Sequence, residues 1–178
     1  MSQWEIDTAH ATAQFKVKHM GLAWVPGHVY GITGDIDFDP ANISNAKFSA
    51  NIDLTTLTTG MAQRDGHLKS ADFFDVEKYP NMKFESTSVE KTSENHFIVK
   101  GNLTIKETTK EVQVNAEYLG ETEKQNMDGT TSTVTSFILS AELDRRDFGL
   151  NWNIDLPGGK VLVGNEAYIT IDVEAIKQ

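Results

Sequence analysis

The chain has 178 residues, 39% of them hydrophobic and 24% charged, with a formal net charge of −10 and no cysteine. That length fits one domain spanning residues 1–178, with room for a real core. The acidic surplus is spread along the chain, which excludes a nucleic-acid partner and argues against adsorption on an anionic membrane, while the missing cysteines exclude disulfides and thiolate chemistry.

The opening Met1-Ser2-Gln3-Trp4-Glu5-Ile6-Asp7 has neither a basic n-region nor an apolar h-region. It predicts a cytoplasmic protein, or a periplasmic or secreted one whose leader has been removed. No apolar run approaches the roughly 18 residues of a membrane span, so no stable membrane insertion is expected.

Period-two alternation then dominates the chain and marks half-buried strands. Ala13, Phe15 and Val17 alternate with Gln14, Lys16 and Lys18; Ile32, Gly34, Ile36 and Phe38 share a face opposite Thr33, Asp35 and Asp37. The cleanest run is Ala46, Phe48, Ala50, Ile52 and Leu54. Met82 and Phe84 open a fourth strand whose alternation slips by one residue before Val89, as a β-bulge would require. Four more follow: Phe97 to Ile105, Val112 to Tyr118, Phe137 to Leu143, and a long last strand from Val161 to Val173 with Gly164 inside it. Turns are expected at Asp39–Asn42, Gln125–Gly129 and Leu156–Gly159.

One segment breaks the pattern. Thr59 to Val76 is too irregular for a strand, and Met61, Leu68, Phe73 and Phe74 predict a short helical flap between the third and fourth strands. Gly60 and Gly66 keep any helix there short. Eight antiparallel strands with one apolar face each can form a two-sheet sandwich or a closed barrel, and periodicity alone does not choose between them.

The motifs do choose. Trp4-Glu5-Ile6-Asp7 with His10 and Phe15-Lys16-Val17-Lys18-His19, then Gly34-Asp35-Ile36-Asp37-Phe38-Asp39, resemble the opening signatures of the YceI-like family. Arg64-Asp65-Gly66-His67-Leu68-Lys69-Ser70-Ala71-Asp72-Phe73-Phe74-Asp75-Val76, followed by Tyr79-Pro80 and Phe84, is similar to its most distinctive motif. Gly101-Asn102-Leu103-Thr104-Ile105 and Asp144-Arg145-Arg146-Asp147-Phe148-Gly149-Leu150 resemble two more. The family often has Lys-Gly after that isoleucine; Lys106-Glu107 here makes a strained φ less expected at that position.

The resemblance implies an all-β, eight-stranded antiparallel lipocalin-like barrel, decorated by a short helical flap, with a long-chain isoprenoid, quinone or other amphiphilic lipid inside it. It implies binding, storage or transport of that lipid, with no catalysis, no cofactor and no metal. It also leaves a homodimer open, since some family members dimerise. The expected ligand-binding residues are Phe15, Val17, Phe48, Ile52, Leu68, Phe73, Phe74, Phe84, Val99, Leu139, Trp152 and Ile169.

Small inward residues (Ala13, Gly34, Ala46, Ala50, Gly101, Ala116, Ala141, Ala167) are expected to leave a tunnel rather than a packed core. Two other readings stand beside the carrier. One is an enzyme using Arg64, Asp65 and His67 on a lipidic substrate; the other is a packed barrel acting as a stress-related interaction protein. No nucleophile elbow accompanies those three residues. The simpler expectation is a structural ion pair between the flap and the Asp144–Asp147 turn, with each arginine occupied by an acidic neighbour. His10, His19 and His28 lack the close spacing of a metal site.

Overall fold

A computed structural model describes residues 2–178. The strands are β1 (Ser2–His19), β2 (Ala23–Val29), β3 (Ile32–Thr33), β4 (Asp35–Phe38), β5 (Lys47–Asp53), β6 (Asn81–Lys91), β7 (His96–Ile105), β8 (Thr108–Gln125), β9 (Thr131–Asp144), β10 (Asp155–Leu156), β11 (Lys160–Val161) and β12 (Val163–Lys177). One α-helix, α1 (Ala62–Lys69), lies between β5 and β6. It is the core of the expected flap. Among the described residues no helix is long and apolar enough to cross a membrane.

The sheet closes on itself. Neighbours run β1-β4-β5-β6-β7-β8-β9-β12, and β12 returns to β1, giving a ring of eight antiparallel strands. Closure pairs the edges of these eight strands and leaves only the outer edge of β2 without a ladder, which is why the ring is preferred over an open sheet. β1 is shared along its length: Ser2–Glu5 pair with β4, and Ala13–His19 pair with β2. The chain from Ala23 to Phe38 is thus one interrupted stave, whose lower half joins β5 through β3 and β4. Its upper half, β2, meets the rest of the wall only at a bridge between His28 and Thr58.

Several local features follow the sequence pattern. The β6 register shifts between Ser86 and Ser88, where the alternation slips. β2 is a strand the alternation does not reveal, because Gly27 interrupts the inward face of Val25 and Val29 while Trp24 and Pro26 stand on the outward one. The expected long last strand divides at Leu162 into the end of β11, which pairs with β10 in a short hairpin, and β12, with Gly164 near the start of the latter.

At Lys106 the expectation fails. Its φ is +55°, because a two-residue turn joins β7 to β8 and needs the left-handed conformation there. The cost is offset locally, since the Lys106 ammonium donates to the Phe73 carbonyl at 3.1 Å.

The glycines, too, differ from the expectation of open space. A Cβ on Gly101 would stand 2.4 Å from the Phe84 ring, and one on Gly27 2.2 Å from the Phe15 ring. A Cβ on Gly34 would meet the Ser49 carbonyl at 2.0 Å. These glycines are already filled by neighbours and do not enlarge the interior. Ala46 and Ala116 are buried in the core below the cavity wall.

Candidate functional site: an apolar cavity inside the barrel

The two ends of the barrel differ. At the lower end four aromatic rings converge on a fifth, Phe137. Its ring centroid lies 5.1 Å from Phe38, 5.5 Å from Tyr118, 5.9 Å from Phe48 and 6.3 Å from Phe97. Phe38, Phe97 and Phe137 are each 1% exposed, so this floor is dry and closed. Aromatic side chains suit the role because large rings meeting edge to face fill a narrowing barrel without voids.

Above the floor lies a cavity of about 240 Å³. On β12 its wall runs from Val173 up to Val163. For a tilted strand, that stretch is roughly 25 Å of axial length. A small volume spread over such a length describes a narrow tube, the shape of one extended chain. Many inward apolar residues, among them Phe15, Phe84, Val114, Leu139 and Ile169, keep partial exposure although they point into the barrel. They face the cavity.

Of the twelve residues expected to bind ligand, Phe15, Val17, Phe48, Ile52, Leu68, Phe73, Phe74, Phe84, Val99, Leu139 and Ile169 all stand in this wall. Trp152 does not. It packs outside the wall against His67, at 4.4 Å between ring centroids, and against Phe73 at 5.5 Å. Ala13, Ala50, Ala141 and Ala167 also line the cavity, as small inward residues should. Sequence reasoning missed Phe137 as the floor. It also missed Phe148 and Leu150, which join Leu103 and Ile105 in a second apolar cluster at the upper end. The Asp-Phe-Gly-Leu stretch carried that signal, but a turn motif does not announce which way its apolar residues fold.

The upper end is covered by the flap. Leu68 from α1, with Phe73 and Phe74 from the turn after it, reach the cavity wall. Backbone bonds fold that turn back on the helix: the Phe74 and Val76 amides donate to the Leu68 and Lys69 carbonyls. Asp65 ties the helix to the strap before it, accepting from the Thr59 amide at 2.7 Å and the Thr58 hydroxyl at 2.9 Å. Burial disfavours its charge, but those bonds from Thr59 and Thr58 outweigh it and hold the carboxyl below its ordinary value.

The expected ion pair between the flap and the Asp144–Asp147 turn is not formed. The Arg64 guanidinium donates to the Thr59 hydroxyl and carbonyl, and His67 pairs with Asp72 at 2.9 Å. Arg146 folds onto Asp144, while Asp147 faces Lys110. Arg145 is buried and bonds no carboxylate; it donates to the carbonyls of Leu150, Trp152, Val163 and Gly164. Burial pulls its pKa down, with Asp144 opposing the shift. The guanidinium is a staple, joining the 145–152 turn to β12 and backing the Phe73 ring. Such a role suits arginine, whose fork of donors can reach several acceptors at once.

The metal question has an equally local answer. Between Ile6 and Ala11 the β1 register against β12 shifts, and the bulged residues place His10 Nδ1 2.9 Å from Asp7 Oδ2 and 3.8 Å from Glu174 Oε2. Half-exposed His10 makes an ordinary surface pair that lowers the Asp7 pKa, chiefly through that hydrogen bond. No other histidine joins the group among the described residues.

The fold and cavity together define a closed antiparallel barrel of lipocalin-like design around an apolar tube. The chain belongs to the YceI-like family, whose domain model matches residues 4–175. A UPF0312 protein of Photorhabdus laumondii is 35% identical over 174 residues, covering 98% of this chain and 85% of the relative. Among solved structures, BcnA of Burkholderia cenocepacia superposes with a TM-score of 0.77 at 22% identity, covering 95% of this chain and 98% of its own. A polyisoprenoid binding domain from Saccharophagus degradans superposes with a TM-score of 0.65 at 11% identity, over the whole of both chains.

Proposed function

We propose that residues 1–178 act as one non-catalytic carrier or store for a single-tailed apolar ligand, an isoprenoid, quinone or fatty-acid-like lipid. The carrying observation is the apolar tube itself, closed below by aromatic rings and covered above by the flap. Each CH₂ moved from water into such a wall contributes about 0.8 kcal/mol, so a tail needs no polar contact to be held. The similarity in fold to a polyisoprenoid binding domain agrees with this reading.

The polar groups support the same conclusion. Among the described residues Arg145 is the one charged side chain in the wall, and four carbonyls occupy it. A ligand phosphate inside the cavity would have no free cation to meet. A neutral or weakly polar head group at the flap end fits better. Arg64, Asp65 and His67 lie outside the wall and are engaged by Thr59, Thr58 and Asp72, which leaves the lipid-enzyme alternative without a group aimed at the cavity.

Organic extraction of the purified protein, followed by mass spectrometry, tests the proposal. A lipid recovered in near-stoichiometric amount from the folded protein, and absent after denaturation and refolding in lipid-free buffer, is the expected result. If no lipid is recovered and the refolded protein takes up no prenyl or acyl probe, the carrier reading is wrong.

A further inference from the structure

Two hairpin tips stand side by side at the flap end of the barrel: the β1–β2 turn and the β10–β11 hairpin. The Leu162 amide closes the base of the β10–β11 hairpin by donating to the Ile154 carbonyl, and the Met20 amide ties the β1–β2 turn to that base by donating to the Leu162 carbonyl. They present large apolar side chains to solvent: Leu22 is 63% exposed, Ile154 48% and Trp24 41%. Tyr168, on the outer face of β12, meets the Trp24 ring edge to face at 5.1 Å.

The cations are placed around these rings. Lys18 Nζ lies 4.4 Å from the Trp24 ring centroid and donates to the Leu22 carbonyl, while Lys16 Nζ lies 5.0 Å from Trp24 and 6.0 Å from Tyr168. Glu142 and Glu166 flank Tyr168. The two lysines balance these two glutamates, so on a chain of net charge −10 this face carries no local acidic excess. More distant acidic groups are screened beyond roughly 8 Å.

We propose that this tip is a docking surface for a phospholipid bilayer, which the carrier touches transiently to load or unload its ligand through the flap end; the loading role rests on the carrier reading. Tryptophan and tyrosine with adjacent lysines suit the head-group layer, where the rings sit at the interface and the ammonium groups meet phosphates. A second copy is the poorer occupant. A stable dimer uses about 20–30 residues a side, far more than two hairpin tips offer.

Sedimentation with vesicles of phosphatidylcholine and phosphatidylglycerol at 3:1 tests it directly. The wild-type chain should co-sediment, Leu22→Ser with Trp24→Ala should partition at least tenfold less, and Lys16→Glu with Lys18→Glu should also weaken binding. Leu119→Ser with Met127→Ser, which removes exposed apolar residues at the opposite end, should partition like wild type. In solution the Leu22/Trp24 variant should keep its affinity for a fluorescent acyl probe but deliver it to vesicles more slowly.

The proposal is overturned if the wild type ignores the vesicles, if the Leu22/Trp24 variant partitions equally, or if that variant turns a dimer into a monomer in sedimentation velocity. Failure of the wild type to bind the acyl probe would count against the carrier reading, whereas the vesicle result judges the docking surface.

Discussion

Phe137→Ala should convert the closed floor into additional tube. Phe137 is 1% exposed and is the ring on which Phe38, Phe48, Phe97 and Tyr118 converge. Truncating a buried phenylalanine costs about 3–5 kcal/mol, part of it for the void left behind. Here the void opens onto the cavity, because Phe137 is itself part of the wall. A longer tail can enter it. About four extra methylenes at about 0.8 kcal/mol each would gain about 3 kcal/mol, or two orders of magnitude in affinity. Saturating ligand should in turn restore stability by mass action.

The assay is competition between probes that share a head group and differ by four methylenes, with thermal unfolding in the presence of each. The variant should shift its preference toward the longer tail by about a hundredfold, and the longer probe should raise its melting temperature more. Phe137→Leu, a milder truncation, should shift the preference less and in the same direction. A folded Phe137→Ala protein with unchanged length preference would refute the reasoning, since tail length would then be set elsewhere.

Phe74→Ala should release a bound acyl probe several-fold faster in stopped-flow exchange while the barrel stays folded, because Phe74 belongs to the flap and only partly to the core; an unchanged off-rate in the folded variant would remove the lid role. Arg145→Ala should lower unfolding free energy by about 3 kcal/mol in urea titrations, since it strips a donor from four carbonyls, through one buried bond to Leu150 and three part-buried ones; a loss below about 1 kcal/mol would mean the staple is dispensable. Asp65, whose folded pKa lies below its ordinary 3.8, contributes stability that is fully present above that value and is lost as pH falls through the folded pKa. Asp65→Asn should therefore flatten the acid limb of the stability profile below about pH 4, with little change in its slope near neutrality.

Much of the wall is legible in the residues. Alternation assigns Phe15, Phe48, Phe84, Leu139 and Ile169 to one face of their strands, because successive side chains must point to opposite sides of a pleated sheet. The irregular 59–76 segment announces a flap for the converse reason: it cannot alternate, and its glycines limit a helix. The bulge in β6 shows as a slip in the same pattern.

What alternation cannot carry is the partner. Period two names a face but not the strand beside it, so the return of β12 to β1 and the sharing of β1 between β2 and β4 are decided only when the ring closes. The same holds for the small residues. Gly101 and Gly34 read as free space along the strand, yet neighbouring strands lay the Phe84 ring and the Ser49 carbonyl across them. Arg145 stands between Asp144 and Arg146 in sequence, where an ion pair is the natural expectation. The fold instead turns it inward to carbonyls from Leu150 to Gly164, because those buried and part-buried carbonyls need donors and a long, multiply donating side chain can reach all four at once.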